Sequence, residues 1–486
     1  MATATELRVN KLAMWVIDEP EVVGFGQASI TPSSPLPLSG LLARTDEPAA
    51  SVESPLGVHV CVVGATKPVI IVSFDLLAVG RELEERVYER LAGQVATPER
   101  CCLLVSTHTH SAPACVPLEG EATPDRDYLD WVSLQALNAV TTALRQRARC
   151  TLRAGWLRLP GLTYNRRAVC ADGRVRMEPR PSVPVISRGP LDDRLMVLEW
   201  RGEGDPTNGG AIGLFAVHGV INGTNVLSAD APGALRNCLA HRLRLPCLLL
   251  QGASGDVNPT SVALNPAALA EWAGDAERLL ERMDSALSPH HTRPATLLKS
   301  VVRVQYAPAR EPDNLAAEIA RLDGIANGTV DSSESRATLA SLADVLNLPA
   351  TDGPYLSIIR RAAAVFATST RRALDGAVRG SVGDVPIEIA ALRLGKMILG
   401  FVSVEPFQAS GRRLASTLGT EFVGLVGYLS PMAGYLPDFD ARALGGYEVD
   451  YAWRFYGSPG PFAPNAEQQV ISELVELIRM LKGKGY

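Results

Sequence analysis

The sequence predicts an α/β protein built on mixed β-sheets flanked by helices. Short apolar runs rich in β-branched residues alternate with segments whose apolar positions recur at helical spacing. Several of the apolar runs stop abruptly in polar residues, as strands do where their ends carry chemistry. At 486 residues with 47% hydrophobic and 20% charged composition, the chain has enough apolar material for a large buried core. Its net charge of -5 shows no basic excess, which speaks against nucleic acid as a partner.

The first eighteen residues are interrupted by Glu6, Arg8, Lys11 and Asp18 and lack the apolar core of a secretory signal, so a cytoplasmic location is expected. His59 to Val63 and Val69 to Phe74 read as a hairpin around the turn Gly64-Ala65-Thr66-Lys67-Pro68. The longest apolar stretch, Val60 to Val79, is broken by Lys67, Pro68 and Asp75, so no membrane span is expected. Gly80 to Leu91 favours a helix, Cys101 to Val105 a short buried strand, and Asp127 to Arg147 a second helix. Leu195 to Glu199, Ala211 to Val217 and Pro246 to Leu250 read as strands, with Gly204 to Gly210 as a turn. Pro266 to Leu287 reads as one long amphipathic helix.

A mainly helical segment follows at about 310–380, clearest from Leu315 to Leu374. It is expected to form a solvated layer over a sheet, with a regulatory insert as the alternative, and any substrate-specific covering is expected to come from this stretch. Strands resume at Val385 to Leu392 and Met397 to Val404, and helices at Ala409 to Leu418 and Ala466 to Lys482. The whole chain, 1–486, is expected to form one large catalytic unit. Eight scattered cysteines without a C-x-x-C pair read as buried, reduced thiols.

Ser106-Thr107-His108-Thr109-His110-Ser111 places two of the seven histidines one residue apart, directly after an apolar strand. Side chains at i and i+2 leave a strand on one face, so both imidazoles can converge, and neutral imidazole is a common metal ligand. A lone pair of this kind also fits an ordinary strand edge. Two more segments have the same form: Phe215-Ala216-Val217-His218, and Gly400 to Val404 followed by Glu405-Pro406. His218 reads either as a satisfied core histidine or as a ligand. Glu405 needs a partner if buried, either Arg412 or Arg413, or a cation. Histidines and a carboxylate with one open position form a catalytic zinc set.

These segments, in order, resemble the neutral ceramidases and related neutral/alkaline non-lysosomal ceramidase-like proteins. The resemblance runs through Gly24 to Pro32, Leu36 to Gly40, the Thr107-His108-Thr109-His110-Ser111 run, Asn165-Arg166, and Ser228 to Gly233. It continues through Gln251 to Pro259, Glu405 with Gly411 to Leu414, and Tyr435 to Tyr447-Glu448. It implies a single ceramidase-like catalytic domain holding one zinc on His108, His218, Glu405 and Tyr435. It also implies that His110 faces the substrate, and that Arg166 and Tyr447 contact the scissile amide or its products.

The activity so implied is zinc-dependent cleavage of the amide bond of an N-acyl small molecule by activated water, with His110 carrying a proton to the leaving amine. Asp256 either orients one of these groups or caps its own loop. The same site could serve an ester or lactone, an acyl transfer or amide formation, and an inactive binding homologue is a third reading. Two departures stand out. Asn258 occupies the position of the family's serine after Gly255-Asp256-Val257, which excludes a covalent serine route there and leaves Ser254 as a loop residue. The chain ends at Tyr486, without room for the family's C-terminal immunoglobulin-like domain, which points away from ceramide toward a metabolic substrate. Oligomeric state stays open.

Overall fold

The computed structural model describes residues 12–44, 47–177, 183–262, 265–307, 312–346, 348, 351–379, 383–420 and 422–483. The expectation drawn from residues 1–11 lies outside them. Strands buried on both faces build four layers: helices, a nine-stranded sheet, a five-stranded sheet, and helices again.

In the predicted hairpin, Gly57–Val63 against Val69–Phe74, the side chains of Val58, Val60 and Val62 face the helices Arg81–Leu91 and Arg126–Arg145. Cys61 and Val63, on the opposite face, enter the core between the sheets. The spatial order of the large sheet is Cys247–Gln251, Gly209–Phe215, Arg194–Gly202, Ala148–Arg158, Val22–Ser29, Gly57–Val63, Val69–Phe74 and Cys102–Ser106, with Ser288–His290 beside Ala148–Arg158. The sheet is mixed, because its outermost strands, Cys102–Ser106 and Cys247–Gln251, each pair in parallel with their neighbours. The second sheet runs Ala13–Val16, Ala295–Gln305, Asp384–Leu394, Met397–Val402 and Val423–Val426, the last pair parallel.

Leu198, Ile212 and Leu250 of the first sheet meet Leu297, Leu392 and Phe401 of the second. Burying such a side chain contributes roughly 1.5–3 kcal/mol, so the inter-sheet core makes a stiff platform under the strand ends. Asp230–Leu243 and Pro266–Leu280 cover the rest of the first sheet, and Gln408–Leu418 and Ala466–Gly483 cover the second. All eight cysteines are free and buried, as their apolar surroundings require. Among the described residues no helix is long and apolar enough to cross a membrane.

Two expectations need correction. The helix beginning at Pro266, capped by the Asn265 side chain, ends at Leu280 and does not run on to Leu287. Met283 turns into the core within a single further turn, Met283–Ala286, after which the chain extends to pair with the large sheet. The helical segment, Pro312–Ala326, Ser333–Val345 and Tyr355–Arg379, does not lie over a sheet. Its apolar stripe, including Ile325, Ile359, Ala363 and Phe366, packs against Tyr447, Tyr451 and Phe455. The outer sheet faces already carry helices, so the exposed aromatic segment is the apolar surface left to cover.

Candidate active site

The edge strand of the large sheet stops at Ser106, and the backbone then turns: His108 stands at φ +63°, a left-handed conformation rare outside glycine. The two histidines therefore converge through this turn and not through strand pleating. His110 Nε2 lies 3.1 Å from His108 Nε2. His218 sits three residues past the end of Gly209–Phe215, where Thr109 bridges to Gly219 and the His110 N–H donates to the Gly219 carbonyl at 2.9 Å. The two histidine loops are thus stitched together by their main chains.

Each imidazole is oriented from behind by a backbone carbonyl. The Nδ1 atoms of His108, His110 and His218 lie 2.7 Å from the carbonyl oxygens of Leu77, Gly40 and Ser254 respectively. A carbonyl only accepts, so each Nδ1 carries the hydrogen and each Nε2 presents a lone pair. Burial, with His108 adjacent, holds the His110 imidazole well below its usual pKa; burial and then the Arg166 charge do the same for His218. The ligand atoms of the three histidines all fall within 4.8 Å of one another. Neutral rings with lone pairs facing inward at this range repel unless a cation lies between them.

Glu405 completes the cluster. Fully buried, it follows the second sheet's strand Met397–Val402 and pairs in parallel with Tyr435. Its Oε2 lies 3.2 Å from His108 Nε2 and 3.7 Å from His218 Nε2. Tyr428 donates to Oε2 at 3.3 Å and Tyr456 donates to Oε1. The ion-pair alternative fails: Arg413 pairs with Glu467, and Arg412 lines a different depression beside Trp156. Hydroxyl donors leave the negative charge itself uncompensated, which is costly in a buried position. Nitrogen and oxygen donors of this kind fit zinc.

The Tyr435 hydroxyl lies 3.4 Å from His218 Nε2 and accepts from Arg166 Nη2 at 3.1 Å. Burial, and then the Glu405 charge, push its phenol well above the ordinary range. The structure therefore brings together His108, His218, Glu405 and Tyr435, and sets His110 beside them. Arg166 is held by Glu448, at 2.8 Å from Nε, and by the Asn258 side-chain oxygen, at 3.3 Å from Nη1; Arg167 donates to the same Glu448 at 2.6 Å. Asn258 thus serves as an acceptor that aims Arg166.

The Asp256 carboxylate takes neither expected role: its partners are the Asn165 side chain and the start of a distant helix, not a catalytic group or its own loop. It accepts from the Asn165 amide at 2.6 Å and from the Gln408 N–H at 2.9 Å, at the first turn of Gln408–Leu418. Burial raises its carboxyl to about 7. The Ser254 hydroxyl lies 2.8 Å from the Tyr428 hydroxyl, behind Glu405, consistent with a loop residue.

In front of the imidazoles opens a cleft of about 200 Å³ that His108, His110, Tyr435, Tyr447 and Tyr456 line at its inner end. Tyr447, in the short π-helical turn Tyr447–Tyr451, stands with its ring centroid 6.2 Å from that of Tyr435. The outer walls are apolar, with Leu42, Leu118, Met177, Leu346, Ile358 and Phe455; two of these come from the helical segment or its flank. Tyr428, Tyr456, Glu448 and the Gly40 carbonyl were not nominated for any role by the sequence. Tyrosine hydroxyls carry no spacing signal, and a carbonyl is invisible to residue type.

A two-sheet α/β frame that gathers histidines, a glutamate and a tyrosine at its strand ends is a neutral ceramidase-like fold. The crystal structure of neutral ceramidase from Pseudomonas aeruginosa aligns with 98% of this chain and 75% of its own, at a TM-score of 0.63 and 15% identity. A ceramidase complexed with C2 aligns with 98% of this chain and 76% of its own, at a TM-score of 0.64 and 15% identity. No family profile matches the chain, and no curated protein does.

Proposed function

We propose that this chain is a zinc-dependent amidohydrolase that cleaves the amide bond of an N-acyl small molecule. The observation that carries the reading is the convergence of three backbone-oriented Nε2 lone pairs on one point beside the uncompensated Glu405 carboxylate. The zinc ligands in this reading are His108, His218, Glu405 and Tyr435. His110 lines the cleft, as do His108, Tyr435 and Tyr447, and its substrate-facing role rests on the family resemblance. When bound, zinc supplies Lewis acidity toward the scissile carbonyl and a lowered pKa for water.

The chain's own residues do the rest. His110, its Nδ1–H committed to Gly40, uses Nε2 to receive a proton and deliver it to the leaving amine. Arg166, aimed by Glu448 and Asn258, and Tyr447 donate hydrogen bonds to the oxygen on which negative charge develops. The apolar walls exclude bulk water and seat the acyl part of the substrate.

Metal content and hydrolysis of an N-acyl amine panel, including a short-chain ceramide, test this in the wild type and in His108→Ala, His110→Ala and Glu405→Ala. About one zinc per chain is expected, lost in His108→Ala and Glu405→Ala and retained in His110→Ala, with hydrolysis lost in all three. Zinc lost with His110 would move that residue into the ligand set. Zinc bound with every amide untouched would favour ester cleavage, acyl transfer or amide formation, and absence of zinc from the wild type would overturn the mechanism.

A further inference from the structure

The cleft contains one charged side chain to which the hydrolytic reading gives no task. Among the described residues that line it, Glu121 is the only carboxylate. One oxygen is occupied: Oε2 accepts from the Ser39 hydroxyl and, at 2.7 Å, from the Gly40 N–H. The other, Oε1, receives no donor from a described residue.

The nearest guanidinium groups do not fill that place. Arg44 donates to the carbonyls of Thr224, His110 and Asn222 and to the Ser111 hydroxyl, and Arg361 donates to the Arg44 carbonyl. Gly40 also fixes where Glu121 stands relative to the reacting centre. Its N–H is held by Glu121 while its carbonyl receives His110 Nδ1, so the carboxylate and the imidazole grip opposite sides of one residue. Oε1 thus stands beside the cleft, one residue from His110, where a ligand's hydrogen-bond donor displaces water to pair with it.

We infer that Glu121 is a specificity-determining residue that selects N-acyl substrates bearing a hydrogen-bond donor, a hydroxyl or an ammonium group, close to the scissile amide. This rests on the amidohydrolase reading of the site. A site built to pair with such a group discriminates against analogues that lack it, because its own acceptor is then left unpaired.

The test uses the full-length, zinc-loaded protein and a matched series of N-acyl amines that differ at one position: hydroxyl, ammonium, methyl and methoxy. Wild type and Glu121→Gln are compared. The glutamine keeps an oxygen for Ser39 and Gly40 but turns an N–H donor toward the cleft. Wild-type kcat/KM is expected to favour the hydroxyl or ammonium substrate over the methyl one by about ten- to hundredfold. In Glu121→Gln that preference collapses toward unity and the methoxy substrate gains relative to the hydroxyl one. A larger collapse for ammonium than for hydroxyl identifies charge recognition; equal collapse identifies hydrogen bonding alone.

Glu121→Asp, which retains the acceptor but retracts it by one methylene, keeps a reduced preference and guards against a misfolded glutamine variant. The same preference in all three proteins overturns the inference. If the wild type cleaves no member of the series, the hydrolase reading fails separately. Calorimetric binding of the hydroxyl and methyl amine products to wild type and Glu121→Gln then decides the role of Glu121, and equal affinities refute it.

Discussion

Glu405→Gln should reverse its effect on stability according to whether metal is present. The glutamine has the same shape, keeps an oxygen for Tyr428 or Tyr456, and removes a charge with which no arginine or lysine among the described residues forms an ion pair. With zinc at about a thousand times its dissociation constant, binding stabilises the wild type by about 4 kcal/mol. Unfolding entropy of about 2.1 cal/mol/K per residue over 486 residues is about 1 kcal/mol/K, so chelation should lower the wild-type Tm by about 4 °C. Without metal, the wild type retains a buried, unpaired carboxylate at a cost of roughly 3–5 kcal/mol, part of which the two tyrosine hydroxyls offset. Glu405→Gln should therefore melt up to about 2 °C below the wild type in zinc and about 2–4 °C above it in chelator. Scanning calorimetry of both proteins with and without a chelator reads the crossing directly. Parallel shifts in the two proteins, with no crossing, would refute the argument that Glu405 compensates a cation.

Three further outcomes follow from the geometry. Asn258→Ser removes the acceptor 3.3 Å from Arg166 Nη1, and steady-state kinetics should show kcat/KM falling about tenfold; unchanged kinetics would mean that Glu448 alone aims the guanidinium. Gly40→Ala places a methyl group 2.7 Å from His110 Nδ1 at a residue with φ +103°, so denaturant unfolding should show a loss of about 1–3 kcal/mol and activity should fall at least about a hundredfold. Wild-type activity in that variant would remove His110 from the mechanism. Asp256, raised by burial to about 7, holds its proton in the folded chain at pH values where the unfolded chain has lost it. Between about pH 4 and 7 the native state therefore binds more protons, and stability should fall as pH rises through that window. A Tm series against pH should show this slope in the wild type and a flatter one in Asp256→Asn; equal slopes would count against the burial argument.

The hairpin at 57–74, the helices Arg81–Leu91 and Arg126–Arg145, and the mixed sheets were legible because burial on one or two faces writes itself into periodicity. The same signal failed between Pro266 and Leu287, where amphipathic spacing persists across a turn that Met283 makes into the core. It also could not say what the helical segment covers, since an apolar stripe declares that it needs a partner without naming one. His108 and His110 were visible as a pair, but the reason they meet is a left-handed turn at His108, which residue types do not encode. Tyr435 and Asn258 were legible only through resemblance. Tyr428 and Tyr456, donors to Glu405, escaped both routes.

The three carbonyls behind the imidazoles belong to Leu77, Gly40 and Ser254, segments that become neighbours only when the large sheet and its connecting loops are in place. An unfolded or half-assembled chain consequently offers a metal ion scattered histidines with freely exchanging tautomers, not a site. On the proposed zinc reading, loading is then a late event in the life of the molecule, after the scaffold has closed. Which divalent ion a purified sample carries will reflect what the surrounding medium held at that moment as much as intrinsic preference. A preparation made in zinc-poor medium and reloaded after folding is therefore the sample in which selectivity can be measured.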